Sequence, residues 1–104
     1  MLFKLSKPLN SRSPHIQCDK AGEVLKAFFE TEIQEDTAFA KHLLSLCLDP
    51  QQSQTELSGN LYNILIKNDK FIIENIFDET ETVTNDKTLL ARILEQWLSL
   101  VERP

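Results

Sequence analysis

At 104 residues the chain is long enough for one hydrophobic core and too short for two. Hydrophobic residues at 41% and charged residues at 26% are ordinary for a globular domain, and two Gly leave little for a Gly-rich, phosphate-cradling loop. A net charge of -5 disfavours nucleic acid as a partner, since holding its phosphates takes clustered Lys and Arg, and no apolar run approaches the roughly 20 residues that cross a bilayer.

In chain order, residues 2–5 (LFKL) read as a short strand. Lys7-Pro8 ends it, because proline cannot donate to a ladder, and residues 10–15 (NSRSPH) read as a loop. The N-terminal apolar stretch is too short for a secretory signal, so a cytoplasmic protein is expected. Asp19 is placed to cap a helix over residues 20–33, where Val24, Leu25, Phe28 and Phe29 form one apolar stripe and Gly22 weakens the start. The pattern breaks near Gln34. Asp36 or Thr37 caps a second helix carrying Phe39, Leu43, Leu46 and Cys47 on one side. It must stop by Asp49, because Pro50 excludes the helical conformation from the residue before it. Residues 20–48 are either two helices or one kinked helix.

Residues 51–54 (QQSQ) are a polar connector, residues 55–57 a short strand, and Ser58-Gly59-Asn60 a tight connection into LYNILIKNDKFIIENIF, residues 61–77. That stretch predicts a β-hairpin. Its β-branched and aromatic residues favour strands, and Asn68-Asp69 tolerates the positive φ of a type I′ turn. The register then sets Lys67 against Lys70, Ile66 against Phe71, Ile64 against Ile73 and Tyr62 against Asn75. One face carries Tyr62, Ile64, Ile66, Phe71 and Ile73. The other carries Leu61, Leu65, Ile72 and Ile76 beside Asn63 and Glu74. Both faces are largely apolar, so the hairpin is expected to be central, with cover on both faces or cover on one and a partner on the other. DETETVTND, residues 78–86, reads as a polar acidic loop whose Thr84 or Asp86 caps a last helix with Leu90, Ile93, Leu94, Trp97 and Val101 in one stripe. Leu89, Leu98 and Leu100 widen that arc. The fold class is α+β: a single domain over residues 1–104, with a central antiparallel hairpin or meander covered by two or three helices. The aromatic residues, Phe77 included, are expected to face inward.

The charge is unevenly placed. Between Glu74 and Asp86 there are five acids (Glu74, Asp78, Glu79, Glu81, Asp86) and no base, while the flanking regions nearly cancel. Together with Glu32, Glu35 and Asp36 they form the candidate partner-binding set, whose complement is a basic protein. No metal or cofactor site is expected: the acids lack the spacing of a calcium loop, and no His and Cys spacing fits zinc. No catalytic residues are expected either, because His42 and Cys47, five apart on a helix, are poorly aligned. Cys18 and Cys47 read as reduced thiols, one in a loop and one in the core, with a disulfide as the alternative.

The stretch SGNLYNILIKNDKFIIENIFDETET, followed by the Trp-containing LLARILEQWLSLVE, resembles the pattern of small acidic immunity proteins of bacterial contact-dependent and related polymorphic toxin systems, over roughly residues 57–102. The resemblance implies a cytoplasmic protein that binds a toxin domain, often a basic nuclease, and blocks its active site with acidic side chains. The alternative from the residues alone is a structural or oligomerising α/β domain that self-associates through the two-sided sheet or the broad arc of the last helix.

Overall fold

The computed structural model describes residues 2–50 and 54–102. Residues 51–53 of the polar connector lie outside the described residues. Within them the elements run β1 (Phe3–Ser6), β2 (His15–Cys18), α1 (Glu23–Phe28), α2 (Thr37–Leu48), β3 (Gln54–Ser58), β4 (Tyr62–Lys67), β5 (Lys70–Asn75), β6 (Thr82–Asp86) and α3 (Lys87–Val101). β1 and β2 pair as a two-stranded ribbon; β3-β4-β5-β6 form a four-stranded antiparallel sheet. The class is α+β, with the hairpin in the middle of the larger sheet.

The hairpin forms in the register set by its turn: Lys67 faces Lys70, Ile66 faces Phe71, Ile64 faces Ile73 and Tyr62 faces Asn75. Asn68 adopts a φ of 55° and Asp69 does not have a positive φ, so the corner is not the type I′ turn expected. Strand alternation turns Tyr62, Ile64, Ile66, Phe71, Ile73 and Val83 onto one face, where all six are buried. α1 and α3 lie against that face at β5 and β6, α2 packs on α3, and the ribbon packs against α1 and α3. Among the described residues no helix is long and apolar enough to cross a membrane.

Residues 20–48 hold two helices. A 3-10 turn, Lys20–Gly22, leads into α1, which continues as a π-helical segment, Phe29–Ile33. Gln34 then breaks the chain at φ 48°, ψ -117°, and the Asp36 carboxylate accepts the Phe39 N–H at 2.9 Å to start α2. The Asp19 carboxylate does not cap α1; it accepts the Leu2 N–H at 3.3 Å. Gly22 is there for packing rather than for the helix: a Cβ would sit 2.9 Å from both Cys18 Cβ and the Phe3 ring, where the ribbon crosses the chain. Trp97 is fully buried with its ring 5.1 Å from that of Phe29 and donates from Nε1 to the Gln34 carbonyl at 2.8 Å.

Two strands stand where loops are expected, β2 and β6, and Cys18 therefore ends a strand rather than lying in a loop. Both cysteines are free thiols. Leu98 is buried and Leu89 packs on the core, so these two residues of the α3 arc are used inside the molecule.

Candidate functional site

The end of the sheet formed by the start of β4 and the end of β5 combines apolar exposure with negative charge. There the chain leaves β5 and turns back into β6 over residues 75–81. Asn75 organises this turn. Its N–H donates to the Glu81 carbonyl at 2.9 Å, its Nδ2 donates to Glu81 Oε2 at 2.8 Å, and its Oδ1 accepts from the Phe77 N–H at 2.8 Å and the Asp78 N–H at 3.2 Å. Asp78 Oδ1 accepts from the Thr80 N–H at 3.1 Å and the Thr80 hydroxyl at 2.6 Å, which holds the Asp78 carboxyl below its ordinary pKa. The Ile76 N–H donates to the Leu61 carbonyl at 2.8 Å, tying the turn to β4.

On this fixed turn Phe77 is 79% exposed, beside Ile76 at 44% and Leu61 at 42%. The expectation that Phe77 faces the core is therefore corrected: it lies past the last ladder pair, Tyr62 with Asn75, where alternation no longer directs a side chain inward. Composition alone signals an aromatic residue here, not its exposure. An exposed aromatic on a hydrogen-bonded turn offers contact area at little ordering cost.

The candidate acids do not form a single group. Glu74, Asp78, Glu79 and Glu81 gather at this sheet end, and among the described residues no basic side chain pairs with Glu74, Asp78 or Glu79. Glu81 faces partly inward: its Oε2 also accepts from the Tyr62 hydroxyl at 3.4 Å, and burial, followed by the Glu81 charge, raises the Tyr62 pKa. Asp86 is not part of the group. It stands opposite Lys70 at the other end of β6, roughly 13 Å from Thr82 at the usual strand rise, and is paired with the Lys70 ammonium at 2.5 Å.

Glu32 reaches the sheet end in another role. Its two oxygens accept from the Asn60 N–H at 2.8 Å and the Leu61 N–H at 2.9 Å, clamping the π-helical segment to the β3–β4 connection. Gly59 permits this approach, since a Cβ there would overlap the Glu32 carboxylate. Glu35 is exposed in the turn before α2, off the sheet, and Asp36 is committed to its cap.

His42 is exposed rather than packed against the core, while Cys47 is buried and its thiol is pushed up to about 11 by that burial. The thiolate needed for nucleophilic chemistry is thus scarce near neutral pH. No protein-family model, curated protein or solved structure matches the chain.

Proposed function

We propose that this chain is a non-catalytic binding protein that neutralises a basic protein partner, as an immunity protein blocks a toxin nuclease, and that the Phe77 sheet end meets that partner. The observation that supports this most is the turn itself: Phe77 stands out from a hydrogen-bonded loop between Ile76 and two acids, Asp78 and Glu79, that have no ion pair among the described residues. The acids steer a cationic partner in, and the apolar group slows its departure. Of the eight candidate acids, Glu74, Asp78, Glu79 and Glu81 form this contact. Glu32 and Asp36 serve the fold, Asp86 is neutralised by Lys70, and Glu35 lies apart.

The test compares immobilised wild-type chain with its E74Q/D78N/E79Q variant for the proteins each retains from a lysate of the source organism at about 50 and about 500 mM salt. The expected result is a basic protein held by the wild type at low salt, released at high salt and lost by the variant, whose activity falls when wild-type chain is added. Equal retention by wild type and variant overturns the reading.

A further inference from the structure

The outer face of the four-stranded sheet carries features that the core does not explain. Alternation puts Leu61, Asn63 and Leu65 of one chain segment and Ile72, Glu74 and Ile76 of the next on the face opposite the helices. Leu65 and Ile72 are partly exposed and take no part in the buried core, and Leu61 and Ile76 are exposed. The register gives the rows: Leu61 beside Ile76, Asn63 beside Glu74, Leu65 beside Ile72, with Glu56 of β3 next to Leu65. The two central strands are thus apolar on both faces while helices cover one, and the outer apolar strip is open to a partner.

Between these rows lies a shallow recess of about 240 Å³ lined by Glu56, Asn63, Leu65, Ile72 and Glu74. That is below the roughly 300–1,000 Å³ of pockets for whole small ligands and suits one long side chain. Its chemistry is specific. Asn63 Oδ1 is shielded from solvent and has no hydrogen-bond donor, which is uncommon for a buried acceptor. Glu56 and Glu74 line the same recess, and among the described residues neither has an ion pair. Leu65 and Ile72 supply an apolar floor. In the next row, Lys70 is held by Asp86, and Lys67 is exposed beyond the recess.

We infer that this recess seats an arginine side chain of the basic partner. One neutral and two charged acceptor groups lining a single recess match a planar guanidinium with five donors better than an ammonium, and the aliphatic stem lies along Leu65 and Ile72. The inference rests on the proposed function for the partner's basic character and names the part of the partner that the sheet face reads.

N-acetyl-arginine amide serves as the probe, titrated into the isotope-labelled full chain and followed by amide chemical shifts, with the lysine and norleucine analogues as controls. Saturable shifts centred on residues 56, 63, 65, 72 and 74 are expected with arginine, several-fold weaker ones with lysine and none with norleucine. N63L is expected to abolish the arginine shifts while the amides of Ile64 and Ile73 stay in place, which separates lost binding from lost fold; E56Q is expected to weaken them. Absence of saturation, shifts spread evenly over exposed acids such as Glu79, or an N63L variant that responds like wild type overturns the inference. With the natural partner, loss of binding in E74Q/D78N/E79Q but full binding in N63L overturns the arginine seat and leaves the proposed function standing. Full binding in both variants removes the function.

Discussion

Asn75 and Glu81 are joined twice, backbone to backbone at 2.9 Å and side chain to side chain at 2.8 Å, so the residues between them form a closed loop rather than a loose connection. The Asn75 side chain also gathers the N–H groups of Phe77 and Asp78. Asn75→Ala removes these contacts at an exposed turn and is expected to cost about 1 kcal/mol of stability. Amide hydrogen exchange at Phe77 and Asp78 should quicken while that of Ile64 and Ile73 stays protected. If exchange at the turn is unchanged, the Asn75 side chain does not fix Phe77.

Glu32 belongs to the fold. Its carboxylate meets two consecutive backbone N–H groups, and hydrogen bonds to a charged group are stronger than neutral ones. Glu32→Ala is expected to destabilise the protein by about 2 kcal/mol, read by chemical denaturation, without changing the salt dependence of partner binding. A variant of wild-type stability would show that the clamp contributes nothing.

Gln34 and Trp97 make opposing contributions. Trp97→Phe leaves the Gln34 carbonyl without its indole donor and is expected to cost about 2 kcal/mol. Gln34→Gly keeps that carbonyl and relieves a positive φ that side chains rarely adopt, with an expected gain of about 1 kcal/mol despite the entropy of glycine. Thermal melting of the two variants should move in opposite directions.

Asp78 provides the pH test. Its folded pKa is lowered by the Thr80 hydrogen bonds, so its contribution is present above the ordinary value of 3.8 and is lost as pH falls through the lower folded value. A carbon-detected titration should place the Asp78 carboxyl below that ordinary value, and Thr80→Ala should move it back up. An Asp78 that titrates at 3.8 in the wild type contradicts the geometry of the turn.

Much of the fold is legible in the residues, and the reasons it is not wholly so are local. Residues 61–76 specify their own pairing, because a period-two pattern and a short corner leave one register that buries Ile64, Ile66, Phe71 and Ile73 together. β2 is hidden because Ile16 is its one fully buried residue, between polar neighbours and just after Pro14. β6 is hidden for the same reason: Val83 alone of TVTND is buried, and its ladder with β5 depends on backbone groups that no side chain announces. The roles of the acids are less legible still. Free and committed carboxylates look alike in sequence, and Glu32 and Asp36 are committed to backbone N–H groups, whose positions depend on the fold. Asp86 meets Lys70 only because β6 pairs with β5.

The most direct measurement is the association rate constant of the chain with its natural partner against salt, for wild type and E74Q/D78N/E79Q. From about 50 to about 500 mM salt the screening length shortens roughly threefold, and the wild-type rate should fall about tenfold or more, with the variant slow and nearly flat throughout. A wild-type rate indifferent to salt, or a variant with the wild-type slope, would contradict an acidic sheet end that draws in a basic protein.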